Sequence, residues 1–260
     1  MAAHSVKVNG KDVPVIFANS DHAQHFDKLK EMKAFADWSK SVDKEFILKN
    51  ITIQSIDMFG PRIGFVKFKS EVADSQGNAL PGIVFMRGGA VGMMILIVCE
   101  EDRKQYTVLT VQPRFPVGKF NFPELPAGML DDSGDFAGVA AKELQEETGI
   151  TVSTKDLVDL TEMAFGSSYQ GVYPSAGGCD EFLRLFLYRT KMAKEEINKL
   201  QGKCTGVLEE GEQIKLKIIS INELWRAAPD VKALSALCIY ENLVARRELP
   251  ADGLPPQEKK

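Results

Sequence analysis

Near the start of the chain, short runs rich in apolar residues at 6–8, 13–17, 46–53 and 63–68 alternate with polar, turn-forming stretches. Runs of this kind, punctuated by turn signals, predict strands. Between the second and third runs, Phe26, Leu29, Met32, Phe35 and Trp38 recur every three residues. That spacing approximates one helical face and predicts a helix over 23–40, read as core packing, with a dimer contact as the alternative. The polar run Asp74-Ser75-Gln76-Gly77-Asn78, followed by Pro81-Gly82, predicts a turn and places a domain boundary near residue 80.

Beyond that boundary the pattern changes. Residues 91–99 are continuously apolar, as a buried strand would be; the run is far short of the roughly 20 residues that span a bilayer. A second strand is expected at 105–111, a Pro/Gly-rich loop at 113–128 and a helix at 135–148. Strands are expected at 157–164, 181–188 and 213–220, then helices at 221–227 and 231–247 and a polar, mobile tail. Strands without βαβ regularity, with a helix beside an acidic segment, predict an α+β sandwich rather than a doubly wound sheet. Gly88, Gly89 and Gly92 lack both G-K-[S/T] and G-x-G-x-x-G, so they are assigned to easing the chain into its strand.

Composition narrows the partners. The 260 residues are 44% hydrophobic and 26% charged, enough to bury a core, and the formal net charge is −4. That charge disfavours a general nucleic-acid or membrane binder and favours a small-molecule partner, for which a local basic pocket suffices. Cys99, Cys179, Cys204 and Cys238 are widely spaced with no C-x-x-C pair, so four reduced thiols are expected, without a zinc site or disulfide framework.

The most informative stretch is GMLDDSGDFAGVAAKELQEETGI, residues 128–150. Ser133 is read as the helix N-cap, Asp135 as a first-turn acid and Gly149 as the left-handed C-terminal cap. Glu143, Glu146 and Glu147 stand at i, i+3 and i+4, on one side of one turn. Crowded at the negative end of the helix dipole, each is disfavoured by roughly a few tenths of a kcal/mol, so a positive partner is expected. At about 100° per residue, Glu143 and Glu147 share the azimuth of Phe136, and Glu146 lies near Val139. The acids therefore continue the apolar face and point inward. A solvated acidic face with Lys142 as partial counter-charge is the plain alternative; clustered hard oxygen ligands suit Mg²⁺, with Mn²⁺ as a substitute.

The segment resembles the Nudix box, G-x5-E-x7-R-E-U-x-E-E-x-G-U with U aliphatic. Gly128, Glu143, Leu144, Glu146, Glu147, Gly149 and Ile150 fall in register, whereas Gly134 replaces the first Glu and Lys142 replaces Arg. The resemblance implies a Nudix α/β/α sandwich at 81–250, after a smaller β-rich dimerisation domain at 1–80 and before the tail at 251–260. Glu124-Leu125-Pro126-Ala127-Gly128 matches the E-L-P-A-G that precedes the box in the ADP-sugar branch. It implies that the Ala127 carbonyl joins Glu143, Glu146 and Glu147 around metal and that Glu124 lies near substrate. Arg114 corresponds to an arginine that contacts the diphosphate or the adenylyl half, a role to which a planar guanidinium is suited; Arg87 is a weaker candidate. The loop at 173–181 resembles the branch's Gly-Gly-x-x-Glu loop, which makes Glu181 the general base, with Asp180 as runner-up.

Phe120, Phe122 and Tyr173 are read as packing, and Glu209, Glu210 and Glu212 as a solvated run or the branch's acidic stretch before its last strand. The chain resembles the ADP-ribose and ADP-glucose diphosphatases, including their plant plastid members. The expectation is therefore Mg²⁺-dependent cleavage of an ADP-sugar to AMP and a sugar phosphate by a homodimer, in the chloroplast or else the cytoplasm. The alternatives are a non-catalytic Nudix-fold nucleotide-sugar binder and a diphosphatase for another nucleoside diphosphate derivative.

Overall fold

The computed structural model describes residues 4–130, 134–206 and 213–252. They divide into two compact units, one within Met1–Gly89 with Tyr173–Phe182, the other within Ala90–Val172 with Leu183–Lys260. The fold is mixed α+β: a β-rich N-terminal unit followed by a Nudix-type α/β arrangement.

In the first unit, β1 (His4–Val8) and β2 (Lys11–Phe17) form a hairpin. Next, β2 lies parallel to β3 (Ile47–Phe59), and β3 lies antiparallel to β4 (Arg62–Ala73). Two short strands, β5 (Ala79–Leu80) and β6 (Ile83–Met86), complete the sheet against β4. A parallel pair needs a crossover, here α1 (Phe26–Glu31) and α2 (Lys33–Ser41). The single helix expected over 23–40 is thus broken, with extended backbone at Met32 (ψ 116°). Residues spaced by three drift about 60° per step around a 3.6-residue helix, so one straight helix cannot aim all five apolar residues at one core. The break resets the face: Leu29 and Phe35 are buried, and Phe26, Met32 and Trp38 pack around them.

The second unit is an eight-stranded sheet with helices on both faces. Its central strand β7 (Ala90–Cys99) is buried at every position, lying parallel to one neighbour and antiparallel to others. Val91, Met93, Ile95 and Ile97 face one core, and Met94 and Leu96 the other, so both faces of the strand must be apolar. Antiparallel partner β8 (Gln105–Arg114) pairs with β7 at Ile97 and Val98, and the gap beyond is filled by β9 (Lys119–Glu124) on β8 and β10 (Ala127–Met129) on β7. These strands interrupt the continuous loop expected at 113–128: Pro123 and Gly128 sit in strands only a few residues long, whereas Pro116 and Gly118 do form a turn, the one between β8 and β9.

The acidic helix is α3 (Phe136–Thr148). Asp135 caps it by accepting from Gly138 N at 2.9 Å, in place of Ser133, which lies outside the described residues. The strand expected at 157–164 is β11 (Leu157–Asp159) followed by α4 (Leu160–Phe165), because the Asp159 carboxylate accepts from Glu162 N and starts a helix. Strand β12 (Leu183–Met192) pairs in parallel with β7. It is followed by α5 (Lys194–Leu200), which the sequence reading missed: a charged, two-turn helix with one buried residue, Ile197, has no readable period. Strands β13 (Cys204–Thr205) and β14 (Ile214–Ser220) and helices α6 (Leu224–Ala227) and α7 (Val231–Ala245) complete the unit. Helices α3 and α5 cover one face, and α4, α6 and α7 the other. All four cysteines are free. Among the described residues, no helix is long and apolar enough to cross a membrane. Glu209, Glu210, Glu212 and most of the tail lie outside the described residues.

Candidate active site

The box acids lie beside the β10 backbone. Glu147 is buried, 4% exposed, and its Oε2 accepts from Ala127 N at 2.8 Å. A Cβ at Gly128 would stand 1.9 Å from Glu143 Cδ, so the Glu143 carboxyl occupies the space that any side chain at 128 would need. Glu146, half-buried, faces the Lys142 ammonium at 3.7 Å, an i,i+4 pair at the solvent edge. Ala127, Glu143 and Glu147 are thus brought together, with Glu146 one step along the same turn.

The carboxyl end of α3 is held from several sides. Gly149 takes a left-handed conformation (φ 75°) and its N–H donates to Gln145 O at 2.8 Å. Gly206 N donates to Glu146 O at 3.3 Å, and the Thr205 hydroxyl donates to Glu147 O. These bonds satisfy carbonyls that a helix end otherwise leaves open. A Cβ on Gly149 would stand 2.6 Å from Lys203 Nζ, which puts an ammonium against the negative end of the dipole. Lys203 is therefore a positive group at the end of the helix that carries the crowded glutamates, and nothing in its sequence spacing announces it.

Arg114 and Glu124 also meet. Arg114 Nε donates to Glu124 Oε1 at 2.6 Å, and the Glu124 side chain is 4% exposed. Its other oxygen, Oε2, accepts from Lys232 Nζ at 3.0 Å, and Lys232 in turn donates to Asp230 Oδ1 at 3.1 Å. Asp230 is the N-cap of α7, and its Oδ2 accepts from Leu125 N at 3.1 Å. Burial pushes the Lys232 ammonium down, but the Asp230 and Glu124 carboxylates outweigh it and hold the group above its ordinary value. Sequence reading found neither Lys232 nor Asp230, which lie over a hundred positions from the strands they serve.

Glu181 and Asp180 belong to the N-terminal unit, on a segment that leaves the other unit between Val172 and Leu183, whose backbones pair in both directions. Strand β12 therefore starts at Leu183, two residues later than expected. Asp180 accepts from Arg87 N at 2.8 Å and Gly88 N at 3.0 Å, which ties the loop to the end of β6. Burial pushes the Asp180 carboxyl above its ordinary value, against the pull of those two N–H groups. Glu181 pairs with Arg87 Nη1 at 3.2 Å and remains partly exposed.

Among the described residues, no three or more Asp, Glu, His or Cys side chains close on one point as a ready cation cage. The donor chemistry still fits Mg²⁺: all the candidate donors are oxygens, and this ion takes one or two carboxylates, several waters and substrate phosphates rather than an all-protein cage.

A helix of clustered glutamates laid on the strand before it, inside an α/β/α sandwich, defines the class. The chain belongs to the Nudix family, whose NUDIX domain model matches residues 89–238. It is 47% identical over 224 residues to Nudix hydrolase 14, chloroplastic, of Arabidopsis thaliana, covering 82% of this chain and 71% of the relative. It is 28% identical over 181 residues to an ADP-ribose pyrophosphatase of Bacillus subtilis (strain 168), covering 69% of this chain and 88% of that one. A solved structure described as that of an ADP compounds hydrolase superposes with a TM-score of 0.54 at 13% identity, over 80% of this chain and 98% of that chain, a likeness of fold.

Proposed function

We propose that this Nudix hydrolase cleaves the diphosphate of ADP-sugars, ADP-glucose and ADP-ribose among them, to AMP and a sugar phosphate. The observation that carries the reading is the placement of Glu143 and Glu147 against the Ala127-Gly128 backbone. Of the two sequence relatives, one is a Nudix hydrolase, which supports hydrolysis, and the other an ADP-ribose pyrophosphatase, which supports the substrate class. Glu143, Glu146, Glu147 and the Ala127 carbonyl would hold Mg²⁺, which when bound supplies neutralisation of charge on the diphosphate and the leaving phosphate. Arg114 engages the diphosphate through its guanidinium, with Glu124 beside it fixing the orientation. Glu181 takes a proton from water as the water oxygen attacks phosphorus; the bridging P–O bond breaks and the leaving phosphate carries its electrons away.

A homodimer is part of the proposal. Its support is an apolar surface on the N-terminal unit, where Phe65 meets Phe59 edge-to-face at 4.9 Å and Phe85 at a tilt at 5.2 Å, and Ile83 and Phe85 stay exposed. A plastid location is proposed from the chloroplastic relative, and fractionation of source cells tests it, with recovery from the cytosol alone as the contrary result.

Product analysis after incubation with ADP-glucose, ADP-ribose, UDP-glucose and coenzyme A, with Mg²⁺ or EDTA, tests the activity. AMP and sugar phosphate formed from the ADP-sugars only with Mg²⁺ is the expected result. Intact substrates throughout, with tight ADP-sugar binding, would overturn catalysis. Glu147→Gln keeps an acceptor for Ala127 N–H, so the fold should survive while turnover falls by about a hundredfold or more; an unchanged rate would sink the metal assignment.

A further inference from the structure

Lys232 is a lysine whose side chain is only 13% exposed, and its position is unusually determined. It leaves the first turn of α7 and passes Gly92 on β7, where a Cβ would come within 3.2 Å of Lys232 Cδ and of Leu185 Cδ2. Gly92 pairs across the sheet with Ala127, so the lysine stem runs beside the strand pair that carries the box. A side chain at 92 would press on this stem and on Leu185, so the glycine gives both room.

At its tip, the ammonium joins two carboxylates that are themselves buried and engaged. Glu124 is 3% exposed and Asp230 is 6% exposed. Asp230 is further fixed by Leu125 N and Lys232 N, so the far end of the chain of charges is anchored in backbone. Four groups of alternating sign follow one another: Asp230, Lys232, Glu124, Arg114. Two cations and two anions balance, as burial requires, since a buried charge without its partner is costly. The last member is different. Arg114 is 41% exposed, and it donates to Glu124 through Nε. A guanidinium held through Nε still has the end-on pair of N–H bonds, one on each Nη, with which to meet two phosphate oxygens.

We infer that Lys232 is a positioning residue for the diphosphate-binding arginine: by sharing Glu124 it fixes the carboxylate that aims Arg114 at the substrate. The inference rests on the proposed function in taking Arg114 as the anion contact. Replacing the lysine alone by an apolar side chain leaves Glu124 and Asp230 short of a cation and so costs stability whatever its role, which is why the role is read in anion binding and not in stability. A preset arginine meets its anion without first having to order itself, so its loss of orientation is felt in binding before it is felt in chemistry.

The test uses ADP as the diphosphate probe, titrated calorimetrically in EDTA into the full chain, alongside turnover of ADP-ribose with Mg²⁺. Lys232→Met is expected to weaken ADP binding about tenfold, in the range of a lost charge-assisted hydrogen bond, and to raise KM similarly with kcat within about twofold. Arg114→Met should weaken binding by at least as much. The double variant should bind no worse than Arg114→Met alone, because the lysine acts through the arginine. Lys232→Arg, which can still donate to Glu124, should restore most of the affinity. If Lys232→Met does not fold, Glu124→Gln carries the same cycle, since it keeps the volume and removes the shared charge.

Losses that multiply in the double variant, or ADP binding unchanged in Lys232→Met, would overturn the role. Absence of ADP-ribose hydrolysis by the wild type, with the coupling in ADP binding intact, would overturn the proposed activity and leave Lys232 supported. Its two failures are thus separate readings of one experiment.

Discussion

Gly128 shows how a single missing side chain can define a site. Any Cβ there would stand 1.9 Å from Glu143 Cδ and 2.1 Å from its Oε1, so Gly128→Ala must displace the carboxyl. Misplacement of about 1 Å at a reacting centre can cost on the order of a hundredfold in rate. Gly128→Ala is accordingly expected to lower kcat for ADP-ribose by roughly that factor while the thermal midpoint changes little, and steady-state kinetics with a melting curve checks both. Retention of full kcat would remove Glu143 from the metal set. Lys232 makes a second prediction at this scale. Its pKa is raised in the folded chain, so its contribution to stability is fully present below the ordinary lysine value of 10.5 and is lost as pH rises through the higher folded value. The stability gap between wild type and Lys232→Met should therefore be constant near neutrality and shrink only above pH 10.5. Denaturant melts across the alkaline range measure it, and a gap that stays constant as pH rises well above 10.5 would contradict the assignment.

At the scale of elements, local rules held where one period ran long enough and failed where two short elements abutted. Helix α3 was legible because Gly149 and an amphipathic face agree about its location, although Asp135, read as a first-turn acid, is its N-cap. The helices around Met32, the pair β9 and β10, and the junction of β11 with α4 were not, since in each one short element gives way to another before a single period can establish itself. The end of α3 supports a quantitative expectation. Gly149 has φ 75°, and a Cβ there would also press on Lys203 Nζ at 2.6 Å. Gly149→Ala should destabilise the chain by about 1–2 kcal/mol through the left-handed backbone alone. Chemical denaturation reads this directly, and an unchanged midpoint would mean that the cap has rearranged.

At the scale of the whole molecule, the Phe59, Phe65 and Phe85 cluster with exposed Ile83 is the surface on which the proposed dimer rests. Sedimentation should give twice the chain mass, and Phe85→Glu with Ile83→Glu should shift the species to monomer with AMP release followed in parallel. A monomer in the wild type at micromolar concentration would end the dimer proposal.

The sequence by itself determined the α+β class, the central buried strand, the acidic helix with three carboxylates on one side and the family, because each is written in residues near one another along the chain. Tertiary structure decided what those residues face. It laid Glu143 over Gly128, set Lys203 at the helix end, and carried Lys232 across β7 to Glu124. Those partners are distant in sequence, and their pairing follows from how strands and helices fill shared space and balance buried charge, which no local period encodes.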